Sequence, residues 1–332
     1  MSTIKDVCRL AQVSKSTVSR VLNDHPRVAE ATKQKVLKVI DSIGYKPNSS
    51  AQALASKRTN SIGMLVGTLA GPYFSSLVSS TEGTLRKNGF HLIATSGQGS
   101  IKDEMDAVQF LLSKQVDGLI IHTGELPDQD LLDIVDKVPA TIILNHQIDE
   151  LANNCIGLDD ELGGYLATKH LIEQGHTKIA CITGPMSQNI SRDRLHGYRR
   201  ALEEHAIEYN SQFVVEGRLD LKNNRQAPRY LLDNNPDITA VFCLNDHVAL
   251  GVYDELEARH LTVGDDVSVV GFDNSLVSEH VTPKLTTINF PTIEMGFLAA
   301  NKILSLVKQQ DYPIPQLLVP ELVIRHSVKK IN

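Results

Sequence analysis

Seven short apolar runs recur after Thr59, each separated from the next by a stretch with helical spacing, and this pattern restricts the fold more than any other feature. They are IGMLVG (62–67), HLIATS (91–96), GLIIHT (118–123), ATIILNH (140–146), KIACITG (178–184), AVFCLN (240–245) and VSVVGFD (267–273). Strands that are apolar on both faces must be covered on both, and intervening helices supply parallel crossovers. About 270 residues of this pattern, with a restart near 160–178, predict two Rossmann-like α/β lobes of parallel sheet.

The first 58 residues are built differently. They hold eleven Lys/Arg against four Asp/Glu, whereas the rest of the chain holds 22 against 35. A basic head on an acidic body suggests a polyanion-binding module joined to a unit with another task. TIKDVCRLAQ opens on Thr3 with Asp6 three residues on, an N-cap and an acid in the first turn, and Ile4, Val7, Leu10 and Ala11 fall at helical spacing. Val13 breaks that register. Ser14 can then cap a second helix from Lys15 to about Leu22, with Val18, Val21 and Leu22 inward and Lys15, Ser16, Ser19 and Arg20 outward. A third helix, roughly 30–43, turns Val36, Val39, Ile40 and Ile43 inward and stops at Gly44. Two short helices joined by a tight turn and covered by a third match an all-α helix-turn-helix. The polar side of the second helix suits a major groove, although an amphipathic helix with a solvated side has the same spacing.

In parallel α/β sheets, functional residues collect at the carboxyl ends of strands. Those ends offer GPYF (71–74), Asn145, SRDR (191–194), LND (244–246), GFD (271–273) and NF (289–290). Amides, a carboxylate, an arginine and aromatics together suit a polyol, since planar polar groups pair with ring hydroxyls and aromatic faces pack on C–H surfaces. Taken singly, Asn245 and Asp246 serve equally well as caps for the next helix.

TIKDVCRLAQVSKSTVSRVLN (3–23) and GYKPNSSAQALASKRT (44–59) resemble the DNA-binding head of the lactose/galactose repressor family of bacterial transcriptional regulators. CIGLDDELGGYLATKHLIEQGHTKIACITG (155–184), RLHGYRRAL (194–202), VSVVGFDN (267–274), PKLTTINFP (283–291) and PELVIRHSV (320–328) resemble its regulatory core, the last two most like its galactose-repressor branch. The resemblance covers essentially the whole chain. It implies a helix-turn-helix domain (1–46), a hinge helix or linker (47–59) and a periplasmic-binding-protein-like core (60–332). That core divides into an N-lobe near 60–160 and 291–320 and a C-lobe near 161–290 and 321–332. On the DNA side it implies Thr3, Ser14, Lys15, Ser16, Thr17, Ser19, Arg20 and Asn23, with Asn48, Ala51 and Leu54 from the hinge. Lys15 and Ser16 hold the base-reading positions that vary in the family, and Leu54 the minor-groove wedge. On the ligand side it implies Arg194, Asn245 and Asp273 first, then Asn145, Tyr73, Phe74 and Phe290. Tyr73 replaces a usual phenylalanine, Cys8 a usual alanine, and Ala29 a common capping serine, the last costing about 1 kcal/mol.

The function so implied is a sequence-specific transcriptional repressor of sugar-utilisation genes. It would act as a homodimer on pseudo-palindromic double-stranded operator DNA and be released by a small sugar effector. Which sugar or sugar phosphate binds, and whether it acts as inducer or co-repressor, stays open at this point. No leucine heptad follows the core, so a tail-mediated tetramer is not expected. No cofactor, metal or enzymatic activity is expected either. The glycines of GMLVGTLAG are four apart and do not form a G-x-G-x-x-G turn, and Walker, G-x-S-x-G and metal-spaced His/Cys patterns are lacking. The four cysteines (Cys8, Cys155, Cys181, Cys243) form no C-x-x-C pair and fit a reducing compartment. No apolar run is long enough to span a membrane and none follows a basic start, which predicts a cytoplasmic protein without membrane partners.

Overall fold

The computed structural model describes residues 2–22, 25–45, 58–97, 99–217, 225–315 and 317–331. Two compact units result, 1–60 and 61–332. Asn23, and residues 47–57 of the expected hinge with Asn48, Ala51 and Leu54, lie outside the described residues.

The first unit holds three helices, α1 (Ile4–Ala11), α2 (Lys15–Leu22) and α3 (Glu30–Ser42). At the start of α1 the Asp6 carboxylate accepts hydrogen bonds from both the amide (3.0 Å) and the hydroxyl (2.8 Å) of Thr3. These bonds hold the Asp6 carboxyl below the usual range, with a smaller contribution from Arg9. Gln12 ends α1 in the left-handed region at φ 53° and lets the chain turn. Ser14 Oγ then accepts the amide of Thr17 at 3.1 Å, the N-cap bond that starts α2. Ala29 offers α3 no side-chain cap. Val7, Ala11, Val18, Val21, Val36 and Tyr45 form the core. Two details depart from the spacing: Leu10 is half exposed, and Tyr45, with no apolar period to announce it, is buried beneath the three helices.

In the second unit the strands are β1 (Ser61–Val66), β2 (His91–Ser96), β3 (Gly118–His122), β4 (Thr141–Leu144), β5 (Cys155–Leu158), β6 (Ile179–Thr183), β7 (Val214–Glu216), β8 (Ala240–Cys243), β9 (Ser268–Asp273), β10 (Thr286–Asn289), β11 (Leu317–Leu318) and β12 (Glu321–Val323). They form two six-stranded sheets, ordered β11-β5-β4-β3-β1-β2 and β12-β10-β9-β8-β6-β7. Every pairing between these strands is parallel except the antiparallel pair β10–β12. The seven apolar runs all lie in these sheets. The other five strands are short or, like TTIN in β10, rich in threonine, and so carry little apolar signal.

The helices of this unit are α4 (Pro72–Lys87), α5 (Ile101–Ser113), α6 (Asp128–Lys137), α7 (Asp160–Glu173), α8 (Asn189–Glu204), α9 (Gln226–Asn234), α10 (Asp246–Ala258), α11 (Leu276–His280) and α12 (Thr292–Lys308). The chain passes between the sheets three times, after β5, after β10 and between β11 and β12. One helix contact positions the site directly. A Cβ on Gly164 of α7 would stand 2.2 Å from the Arg194 carbonyl oxygen, and one on Gly197 of α8 would stand 2.0 Å from that of Glu161. Glycine at both places lets the two helices touch backbone to backbone, which brings the first turn of α7 beside Arg194.

Candidate functional site

A cleft of about 690 Å³ opens between the two sheets, and all seven ligand-side residues expected from the sequence line it: Tyr73, Phe74, Asn145, Arg194, Asn245, Asp273 and Phe290. They arrive by different routes. Tyr73 and Phe74 open α4 rather than ending a strand, and Arg194 lies in the second turn of α8, not at a strand end. Asn145 follows β4, Asp273 ends β9 and Phe290 follows β10. Asn145, Asp273 and Asn274 all sit at positive φ, 57°, 102° and 51°. Such backbone is held only where surroundings fix it.

Arg194 is buried. Its Nε donates to Asp160 Oδ1 at 2.7 Å, Nη1 donates to the Leu244 carbonyl, and the guanidinium lies 3.4 Å from the centroid of the Phe272 ring. Asp273 faces it at 3.9 Å. Burial pushes the Asp273 carboxyl up to about 8, against the pull of Arg194 and with help from the neighbouring Asp246 and Asp160 carboxylates. Asn245 spends its Oδ1 capping α10, accepting from Val248 N at 2.8 Å, so the capping and binding readings of this residue are compatible. Next to it Asp246 is fully buried and accepts from Thr287 Oγ1 and from both the amide and hydroxyl of Ser275. Those bonds tie α10 to the strained 273–275 turn that aims Asp273. Burial nevertheless moves the Asp246 carboxyl up to about 6.

On the other wall, Tyr73, Phe74 and Phe290 meet edge to face with ring centroids 4.9 and 5.1 Å apart, and His122 joins both Tyr73 and Phe74. Asn145 Nδ2 donates to Tyr73 Oη at 3.0 Å, and His122 Nε2 lies 3.2 Å from the same hydroxyl. Burial lowers His122 to about 4, so its ring is neutral at pH 7. Asn145 Oδ1 and His122 Nδ1 are buried and find no partner among the described residues.

Several further residues line the cleft that were not expected on the ligand side, His122, His146, Arg192 and His247 among them, while Glu125, Asp128, Gln188 and Asn189 carry no signal in the sequence. Asp160, an acid in the first turn of α7 where the helix dipole alone would favour it, is the partner of Arg194. The cap of α7 is Asp159, whose Oδ1 accepts from Leu162 N at 2.8 Å. No spacing rule links positions 34 residues apart, and only the glycine-mediated helix contact brings Asp160 and Arg194 together. Glu104 is buried, pairs with no cation among the described residues, and holds the loop after β3 by accepting from Thr123 Oγ1 and the amides of Gly124 and Leu126. Cys155, Cys181 and Cys243 are buried with thiols pushed up by burial. Among the described residues no group of three or more His, Cys, Asp or Glu side chains is placed to hold a metal ion, and no helix is long and apolar enough to cross a membrane.

In the first unit the expected DNA face is continuous along α2. Thr3, Ser14, Lys15, Ser16, Ser19 and Arg20 are exposed, Thr17 is half-buried, and Val18 and Val21 anchor the opposite side. The hydroxyl of Ser14 also meets those of Ser16 (2.7 Å) and Thr17 (2.9 Å), which presents a compact patch of hydroxyls beside Lys15.

Known proteins share both units. Residues 3–48 match the family described as bacterial regulatory proteins, lacI family, and residues 168–328 match the periplasmic binding protein-like domain. The transcriptional regulator GalR of Escherichia coli K12 is 38% identical over 329 residues, covering 99% of this chain and 96% of GalR. The lac repressor dimer bound to operator and the anti-inducer ONPF superposes with a TM-score of 0.90 at 31% identity, over 99% of each chain. The complex of the transcriptional regulator CelR with cellobiose gives 0.73 at 30% identity, over 98% of this chain and all of that one. With its helix-turn-helix unit, its two-sheet core and similarity along the full length, the chain belongs to the lacI family of bacterial regulatory proteins.

Proposed function

We propose that this protein is a sequence-specific, DNA-binding transcriptional repressor whose hold on its operator is set by a sugar-class effector in the interlobe cleft. The observation that carries this reading is the cleft itself: planar polar groups on one wall and three packed aromatic rings on the other. Such a surface suits hydroxyl-bearing rings with C–H faces. Its covalent linkage to a helix-turn-helix with exposed Lys15, Ser16 and Arg20 gives the binding event something to regulate. The lac repressor was solved as an operator-bound dimer, and CelR with cellobiose. By likeness this chain acts in the cytoplasm as a homodimer. Its two recognition helices then sit about one DNA turn apart on a pseudo-palindrome. Effector binding favours one lobe arrangement, and operator must weaken or strengthen effector binding by the same factor.

The test begins with selection of bound sequences from a random duplex pool, followed by mobility-shift titration against salt and against sugars. The expected result is a two-half-site operator, an affinity that falls linearly with log salt, and a response to at least one sugar. Leu54→Ala lowers operator affinity and keeps effector binding. Arg194→Ala, once shown folded by its melting profile, keeps operator binding and no longer responds. DNA binding that is indifferent to sequence and to every small molecule replaces this reading with an architectural one.

A further inference from the structure

The turn that follows β9 holds two successive residues, Asp273 and Asn274, in left-handed backbone, at φ 102° and 51°. Asparagine tolerates that region, but two such residues in a row persist only where their surroundings hold them. Asp273 lines the cleft opposite Arg194, whereas Asn274 and Arg325 lie outside the cleft lining.

At its far end the turn is fixed to α10, since Ser275 donates its amide (2.7 Å) and its hydroxyl (2.8 Å) to the buried Asp246 carboxylate. The backbone bonds nearer Asp273 are long. The Asp273 carbonyl accepts from Phe290 N at 3.5 Å, and Asn274 N donates to Thr287 Oγ1 at 3.4 Å. The short bonds there belong to the Asn274 side chain. Its Nδ2 donates to Asn289 Oδ1 at 3.0 Å, and its Oδ1 accepts from Arg325 Nη2 at 2.7 Å. A guanidinium only donates, so the carboxamide oxygen must face Arg325 and the amide nitrogen must face Asn289. Arg325 is itself held, its Nη1 donating to the Leu285 carbonyl at 3.0 Å and to Ser278 Oγ at 3.2 Å.

The two partners of Asn274 share a place in the fold. Asn289 ends β10, immediately before the chain crosses to the other lobe. Arg325 lies two residues past β12, the strand that the chain enters on its last crossing. These strands pair antiparallel, with Asn289 opposite Glu321. The Asn274 carboxamide therefore ties the Asp273 turn to the chain beside two of the three crossings.

We infer that Asn274 is a positioning residue for effector binding: its carboxamide, held between Asn289 and Arg325, keeps the strained turn in the arrangement that places Asp273 in the cleft. The inference rests on the effector reading of the cleft. Without the carboxamide the turn spreads over several arrangements, and effector affinity falls with the fraction that keeps Asp273 in place. Because Asn274 lies outside the lining, what is lost is preorganisation and not a ligand contact.

Isothermal titration and thermal melting of the full-length protein test this. The probes are galactose, glucose, ribose, cellobiose and the phosphate esters of the three monosaccharides. Asn274→Gly removes the carboxamide but leaves a residue at ease at positive φ. It is expected to bind the responsive sugar about tenfold more weakly, the size of one charge-assisted hydrogen bond, and by more than its change in melting temperature explains. Arg325→Met is expected to weaken binding similarly and to add nothing further to Asn274→Gly, because both act through the same carboxamide. Asn274→Asp keeps an oxygen for Arg325 and lets the Asn289 amide turn to donate, so it restores most of the loss. Should Arg325→Met not fold, the two Asn274 variants decide alone. Unaltered affinity in folded Asn274→Gly, losses that multiply in the double variant, or Asn274→Asp as weak as Asn274→Gly each overturn the inference and leave the effector reading standing. A wild-type protein that binds none of the probes removes that reading, and the inference with it.

Discussion

Arg194 and Asp160, on different helices and 34 residues apart, form a buried ion pair at 2.7 Å whose arginine lines the interlobe cleft. Neither side chain is more than a few per cent exposed. Burial pushes the Asp160 carboxyl upward, and Arg194 pulls it back. A buried pair of this kind adds little net stability over a hydrophobic pair, but removing one partner leaves the other charge stranded. Its use here is geometric. It fixes the guanidinium at the cleft while Phe272 supports its flat side.

Asp160→Ala is therefore expected to lower the stability of the core by about 3–5 kcal/mol. Pairing it with Arg194→Met is expected to recover part of that loss, because the stranded charge goes too. Calorimetric melting of wild type, both single variants and the double variant reads the coupling. If the single and double variants simply add, the pair is not a unit.

The contact between α7 and α8 predicts a second effect. Gly197→Ala places a methyl 2.0 Å from the Glu161 carbonyl oxygen, which is backbone and cannot step aside. The helices must separate, and overpacking of this sort costs about 1–3 kcal/mol or more. Arg194 moves with its helix, so effector affinity is expected to fall by more than the loss in melting temperature explains. Effector titration of the folded variant checks this, and unaltered affinity would show that the spacing does not set the site.

Two titrating groups that line the cleft, His122 and Asp273, give opposite pH dependences. His122 is held near 4, below its unfolded value near 6.5, so its contribution is present above pH 6.5 and lost as pH falls toward 4. Asp273 is held near 8, above its unfolded value near 3.9, so its contribution is present below about pH 4 and lost as pH rises through 8. Relative to wild type, His122→Gln should gain stability as pH drops from 6.5 to 4, and Asp273→Asn as pH climbs from 4 to 8. Melting curves of the three proteins from pH 4 to 8.5 measure both differences, and parallel curves would mean neither shift is real.

How far the sequence anticipates this depends on whether a feature is periodic. The three head helices, the seven apolar strands and the Ser14 cap follow from local spacing, and the structure has them within a residue or two. The strand-end rule and the family resemblance together name the seven ligand-side residues, all of which reach the cleft. What stays hidden is whatever depends on contact between distant segments. Asp160 looks like an N-terminal helix acid until α8 crosses α7. His122 looks like the polar end of a strand until Tyr73 arrives from α4. Leu10 has the right spacing to be buried, yet among the described residues no element covers it and it is half exposed. Glu125 and Gln188 belong to two loops with no apolar period at all, and their meeting depends on how the lobes face each other.

That meeting supplies the last prediction. Gln188 Nε2 donates to Glu125 Oε1 at 3.2 Å, a hydrogen bond from the loop after β6 to the loop after β3, and so from one lobe to the other at the mouth of the cleft. The same amide lies against Gly124, where an added Cβ would stand 3.5 Å from it. Both partners are half-buried, so the bond is worth about 0.5–1.5 kcal/mol, more toward the upper end because one partner is charged. A contact of that size unfolds nothing when lost, but it biases the lobes toward the closed arrangement in which the cleft walls converge. Gln188→Ala is expected to leave the melting temperature of the unliganded protein within a degree or two and to weaken effector binding about two- to tenfold, chiefly by faster dissociation. Stopped-flow dissociation alongside equilibrium titration separates the two cases. A slower association with unchanged dissociation would place Gln188 on the entry path, not on the closed state.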